Sequence, residues 1–254
     1  MGYERNQLNT ANGKTNMVLT VIIPAAGKGS RLGLPYSKEV MKIDGENSLI
    51  DNVFLLFKNH NRDKIRFVII INENKTDIVS YLSKYKKSHN ICFCYQNPSY
   101  PEYTGAIKSA YSLFGENNIV ILPDTIIKID YDLYDKAISS LTKNSFFFLY
   151  KKEKSIEMLK TKGCLRVING KVKLYEDKPH NVNDYNGFWC SFAFKKHAFM
   201  DSIEFMEKST LKKELTLPKE IKKTPLYDSI AHEVEDYIDL GTWSEIKKYT
   251  KSFL

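Results

Sequence analysis

The 254-residue sequence predicts an α/β fold of three layers, its mixed sheet mostly parallel with antiparallel additions in the C-terminal half. Three observations predict it. In the first half, short β-rich apolar runs alternate with stretches of about ten residues at helical spacing, the pattern of right-handed βαβ units. In the second half, two such runs flank Asn169-Gly170, the dipeptide of a tight hairpin turn. A glycine-rich segment follows directly on the first run, which is where α/β sheets of this Rossmann-like kind place ligands.

The elements follow in order. Residues 18–23, V-L-T-V-I-I, suit a strand buried on both faces. Leu49, Val53, Leu56 and Phe57 recur at helical spacing. Residues 66–71 form the next predicted strand, 76–85 a helix, 91–95 a strand, 104–114 a helix and 119–122 a strand. Beyond them, residues 146–150, 165–168, 172–175 and 187–194 read as strands, while 197–207 and 244–252 read as helices. No repeat or low-complexity linker interrupts residues 17–254, so one domain is expected, with one half over about 17–130 and the other over about 131–254. Residues 1–16 are polar and read as a flexible tail without the apolar middle of a signal peptide.

Composition narrows the classes. With 43% hydrophobic and 13% aromatic residues the chain is globular. No apolar run approaches the roughly 18 residues of a membrane span, and the cytoplasm is the expected location. The net charge of +8 comes from lysines scattered along the chain, such as Lys84, Lys86 and Lys87, without interleaved aromatics. A nucleic-acid partner is therefore not expected, though the field suits a polyanion such as a nucleoside triphosphate. Cys92 and Cys94 alternate on one strand, Cys164 and Cys190 stand alone, and buried thiols are expected rather than disulfides or zinc ligands. The five histidines show no ligand spacing.

The segment after the first strand, Pro24-Ala25-Ala26-Gly27-Lys28-Gly29-Ser30-Arg31, carries the clearest chemistry. Its glycines let backbone N–H groups approach a phosphate, and Arg31 can clamp phosphate oxygens bidentately. It is neither a Walker A loop nor a dinucleotide fingerprint, since Gly33 falls one residue late for the latter. Lys38, in the same loop, adds a second cation.

Residues 21–43, V-I-I-P-A-A-G-K-G-S-R-L-G-L-P-Y-S-K-E-V-M-K-I, resemble the opening signature of the nucleotidyltransferases that make nucleotide sugars. That resemblance implies that Ala25, Ala26, Gly27, Lys28, Gly29 and Ser30 wrap a nucleotide. It gives Arg31 the leaving pyrophosphate and Lys38 the transferred phosphate. Gln96 is similar to a glutamine that reads a pyrimidine base, and Gly105 to a glycine against the nucleoside. Leu122-Pro123-Asp124-Thr125 resembles a metal-binding L-G-D-N segment, and Asp239-Leu240-Gly241-Thr242 the D-x-G-T segment that supplies a second metal aspartate. Glu176-Asp177-Lys178-Pro179 resembles E-E-K-P, where the glutamate meets the sugar and the lysine its phosphate. Asn186-Gly187-Phe188-Trp189 resembles a strand lining the sugar pocket. The implied activity joins a nucleoside monophosphate to a small phosphorylated acceptor, with Mg²⁺ as cofactor and homo-oligomerisation left open. Because both reactants are anionic, such chemistry needs alignment and positive charge rather than a protein nucleophile.

Plainer readings stand beside these. Asp124 equally suits a turn cap, Asp239 the start of a helix, Glu176 and Lys178 an exposed strand face, and Trp189 and Trp243 the core. His180 and Asp184 lie close to the acceptor motif. Lys38 lies seven residues after Arg31, a spacing closer to cytidylyltransferases acting on alcohol phosphates, which lack E-x-K-P and D-x-G-T. Thr125 also replaces the usual asparagine. A sugar 1-phosphate leads as acceptor, with an alcohol or amino-acid-derived phosphate as the alternative. A metal-dependent glycosyltransferase would want D-x-D where Asp124-Thr125-Ile126 stands, and a non-catalytic regulator would be expected to lose one of Arg31, Lys38, Asp124 and Asp239.

Overall fold

The segment Leu-Thr-Val-Ile-Ile-Pro forms strand β1 (Leu19–Pro24), and all but its last residue are buried. A computed structural model describes residues 18–60, 62–100, 102–211 and 218–250; the expected tail, residues 1–16, lies outside them. Alternate side chains of β1 feed two separate cores, Leu19, Val21 and Ile23 on one face and Ile22 on the other. A strand wanted by both faces must be apolar throughout, as this one is.

Its parallel neighbours are β2 (Ile65–Ile71), β3 (Asn90–Tyr95) and β4 (Asn117–Ile121), in the order β3-β2-β1-β4. The nine-stranded sheet then continues with strands of both directions. These include β6 (Phe146–Lys152), the hairpin β7 (Gly163–Ile168) and β8 (Lys171–Asp177), β9 (Gly187–Lys195) and β10 (Ile230–Glu233). The long β9 lies antiparallel to β4 through Ser191–Lys195 and to β7 through Gly187 and Phe188, so it joins the two halves of the sheet.

Helices cover both faces. On one side α1 (Asp51–Leu55), α2 (Thr76–Leu82) and α4 (Leu133–Lys143) pack against the β1 outer row. On the other, α3 (Glu102–Ser109) covers β1, while α6 (Phe199–Thr210) and α7 (Pro218–Ile221) pack on β8. The short α5 (Ile156–Leu159) precedes the hairpin, and α8 (Trp243–Thr250) is the last described helix. The fold is thus the three-layer Rossmann-like α/β arrangement that the sequence predicts. Among the described residues, no helix is long and apolar enough to cross a membrane.

The structure adds pieces that the periodicity leaves out. Strand β5 (Thr125–Lys128) pairs antiparallel with β11 (Asp236–Asp239) in a separate ribbon, with Asp239 opposite Thr125. Helix α4 is capped by Asp132, whose carboxylate accepts the Asp135 N–H. The thiols need one correction: Cys164 and Cys190 are buried, but Cys92 and Cys94 are only half-buried, because β3 is the edge strand of the sheet. All four are free.

Candidate active site

The strand order reverses at β1, flanked by β2 on one side and β4 on the other, and the crevice beyond their carboxyl ends is the natural ligand site of such a sheet. The loop leaving β1 begins tethered: the Ala25 N–H donates to the Ile70 carbonyl, and the Asn72 amide donates to the Ala26 carbonyl at 2.6 Å. After this anchor the chain turns outward, with Gly27, Lys28 and Ser30 exposed. Nothing lies within 4 Å of where a Gly27 Cβ would stand, and Gly29 holds a left-handed φ of +66°. The loop borders a cleft of about 830 Å³ whose walls include Ala26, Lys28, Tyr36, Asn72, Lys75 and Gln96. Gln96 follows β3 directly; its amide group donates to the Tyr100 and Glu102 carbonyls at 2.7 and 3.3 Å.

Lys38 rides on a short 3-10 turn, Lys38–Val40, that α2 grips from both sides. Asp77 accepts the Ser37 N–H at 2.8 Å and its hydroxyl at 2.5 Å, while Lys75 donates to the Glu39 carboxylate. Burial pushes the Glu39 carboxyl above its ordinary range against the pull of Lys75, and burial pushes the Lys75 ammonium below its own. Burial also acts upward on Asp77, but the Ser37 hydrogen bonds outweigh it and leave that carboxyl below the usual range. The Lys38 stem passes Gly29, and its ammonium reaches Asp124 Oδ2 at 2.5 Å.

Asp124 stands between β4 and β5, and its carbonyl accepts the Leu240 N–H at 2.9 Å. Asp239 is the last residue of β11 rather than a residue past it, and its Oδ1 accepts the Gly241 N–H at 2.9 Å. A Cβ on Gly241 would lie 2.9 Å from Asp239 Oδ1, and 3.9 Å from both Asp124 Oδ2 and Arg31 Nη1. Gly241 therefore marks the point where Arg31, Asp124 and Asp239 converge. Trp243 is exposed, and its ring N–H donates to the Leu32 carbonyl at 3.0 Å, tying α8 to the glycine-rich loop.

On the acceptor side, Glu176 lies within β8 and accepts the Tyr185 hydroxyl at 2.7 Å. Lys178 is exposed, with a left-handed φ of 49°, and its N–H donates to the Lys162 carbonyl at 2.9 Å. Two glycines meet backbone at once. A Cβ on Gly187 would stand 2.5 Å from the Lys151 carbonyl oxygen, and one on Gly105 would stand 2.3 Å from that of Tyr100. Close packing alone thus requires glycine at both positions. Trp189 belongs to the core, and Asp184 pairs with exposed Arg166 at 3.3 Å.

Lys162 is the site residue that sequence reasoning misses. It immediately precedes β7, and its ammonium pairs with Asp239 Oδ2. It carries no sequence signal: the hairpin sets it one residue ahead of β7, across from Lys178, which stands one residue past β8. The carboxylates of Asp124 and Asp239 offer oxygen alone, the donor set of a hard cation such as Mg²⁺. Among the described residues, no group of three or more His, Cys, Asp and Glu side chains is placed to hold a metal.

A crevice at a strand-order reversal, rimmed by an open glycine turn, an arginine, lysines and two neighbouring carboxylates, defines a protein that handles phosphorylated ligands. The chain belongs to the nucleotidyl transferase family, whose pattern it matches over residues 20–253, and it is a nucleotidyltransferase. No curated protein matches its sequence. Similar solved structures include a Bacillus anthracis protein assigned as a glucose-1-phosphate thymidylyltransferase and solved with sucrose. It is 20% identical, with a TM-score of 0.72 over 92% of this chain and 95% of that one. A UDP-glucose pyrophosphorylase in complex with UDP-glucose is 17% identical, with a TM-score of 0.70 over 93% and 98% of the two chains. The UDP-glucose pyrophosphorylase of Acinetobacter baumannii is 16% identical, with a TM-score of 0.70 over 93% of both. Likeness at these identities establishes the shared fold.

Proposed function

We propose that the enzyme is a magnesium-dependent nucleotidyltransferase that joins the nucleoside monophosphate of a pyrimidine triphosphate to a sugar 1-phosphate and releases pyrophosphate. The convergence of Arg31, Asp124 and Asp239 around Gly241, with Lys38 on Asp124, carries this reading. An acceptor phosphate oxygen attacks the α-phosphorus, a new P–O bond forms, and the bond to the β-phosphate oxygen breaks as pyrophosphate leaves with its electron pair. Both partners are anions, so the protein's task is in-line alignment and charge neutralisation.

In this reading residues 17–130 take the nucleotide and 131–254 the acceptor. The open turn of Gly27 to Ser30 cradles the phosphates with backbone N–H groups, and Arg31 neutralises the departing pyrophosphate. Lys38 serves the transferred phosphate, and Lys178 the acceptor phosphate, with Glu176 on sugar hydroxyls. Gln96 spends both amide N–H groups on its own loop, so its carbonyl oxygen is the group left to accept from a pyrimidine N–H. Asp124 and Asp239 would hold Mg²⁺, which supplies positive charge at the phosphates when bound. A cytoplasmic enzyme fits this use of triphosphates.

The alternative acceptor, an alcohol or amino-acid-derived phosphate with CTP as donor, is favoured by the short step from Arg31 to Lys38. Pyrophosphate release with Mg²⁺ tests both, using CTP, UTP, dTTP, ATP and GTP against sugar phosphates and other small phosphates. Release dependent on one pyrimidine triphosphate and one sugar 1-phosphate is expected. Failure to bind any triphosphate sinks the reading.

A further inference from the structure

Each of the two carboxylates proposed for the metal already carries an ammonium. Lys38 sits on Asp124 Oδ2, and Lys162 sits on Asp239 Oδ2. The lysines arrive from opposite sides. Lys38 comes from the nucleotide loop, whereas Lys162 stands at the threshold of β7 with its carbonyl bonded to the N–H of Lys178. The Lys162 ammonium also lies 5.6 Å from the Tyr237 ring centroid, over the strand that ends in Asp239. Its side chain is 16% exposed and that of Asp239 is 28% exposed, so the pair sits at the wall of the crevice with solvent beside it.

Asp239 Oδ1 already accepts the Gly241 N–H, so Oδ2, without a backbone donor, is the oxygen more open to a cation. A divalent ion on that oxygen repels the ammonium already there. Lysine is a flexible point charge with three donors, able to leave one anion for another nearby. Resting on the function proposed above, we propose that Lys162 is the resident counter-ion of Asp239 in the empty enzyme. Displaced when a divalent cation takes that carboxylate, it becomes a second phosphate-binding lysine on the acceptor side, beside Lys178.

Mn²⁺ binding to the ligand-free full chain tests the first half, and steady-state kinetics the second. Lys162→Met removes the competitor and is expected to tighten Mn²⁺ binding by about tenfold, while Lys162→Arg keeps the charge and stays near wild type. In turnover, Lys162→Met is expected to raise the acceptor KM or lower kcat by on the order of 100-fold, with the triphosphate KM unchanged. A merely structural lysine would not tighten metal binding while slowing turnover, and thermal melts confirm that the variants fold. Unchanged or weaker Mn²⁺ binding in Lys162→Met overturns the counter-ion role, and normal turnover overturns the phosphate role. Asp124→Asn and Asp239→Asn separate this from the parent reading. If neither weakens Mn²⁺ binding, the metal assignment fails and the proposal falls with it; if both do, only the Lys162 proposal is at stake.

Discussion

The Lys75 ammonium lies 2.7 and 2.8 Å from the two oxygens of the Glu39 carboxylate, and both side chains are withdrawn from solvent. Glu39 directly follows Lys38, so this pair and the Asp77–Ser37 bonds hold the base of the Lys38 turn on α2. Removing one partner strands a buried charge, whereas removing both does not. Lys75→Met is expected to cost about 3–5 kcal/mol in urea unfolding, and the double variant Glu39→Gln/Lys75→Met clearly less. Equal losses in the single and double variants would deny the coupling.

Gly187 and Gly27 differ in what a methyl group would meet. Gly187→Ala drives a Cβ against the Lys151 carbonyl and is expected to destabilise the fold by about 1–3 kcal/mol. Gly27→Ala meets nothing within 4 Å, so its melting temperature should stay near wild type. Its loss should appear in the triphosphate KM, on the order of tenfold, because the approach of the phosphates is obstructed. A melting loss in Gly27→Ala with normal KM would reverse the assignment.

If Lys38 acts as proposed, Lys38→Ala removes an ammonium from beside two anionic reactants. Turnover is expected to fall by about two to three orders of magnitude, since one charge pair near 4 Å contributes roughly 4 kcal/mol at an effective dielectric of 20. Near-normal kcat in single-turnover measurements would remove Lys38 from the reaction.

Burial, helped by the nearby charge of Lys136, lowers the pKa of His232 to about 4 from its ordinary 6.5, and its ring bonds the Ser140 hydroxyl at 2.8 Å. Between those values the unfolded chain binds a proton that the folded chain refuses. Stability from this residue is therefore complete above pH 6.5 and falls as the pH drops toward 4. The melting temperature of the wild type should drop between pH 7 and 5, and His232→Gln should drop less. Parallel curves would show that other groups set the acid limit.

Local pattern reveals most of this fold and only part of its site. The strands of the βαβ half are apolar on both faces, and Asn169-Gly170 marks its turn without help from distant residues. The ribbon of β5 and β11 is hidden because each strand has four residues and its pairing comes from more than a hundred positions away. Helix α4 is missing from the sequence reading although Asp132 caps it and Leu133, Ala137 and Leu141 recur at helical spacing. Glycine-rich loops and carboxylates at strand ends carry sequence signals of their own. Lys162 carries none: one lysine among many is singled out only by where the hairpin sets it down.

The ribbon also fixes when the enzyme becomes competent. The crevice walls around Ala26, Asn72 and Gln96 come from the first hundred or so residues, whereas Asp239 is set near Asp124 by the pairing of β11 with β5. On the function proposed above, a chain that lacks β11 keeps the loop assigned to the triphosphate and lacks one of the two carboxylates assigned to the metal. If that function holds, the onset of turnover during refolding reads the docking of β11 on β5.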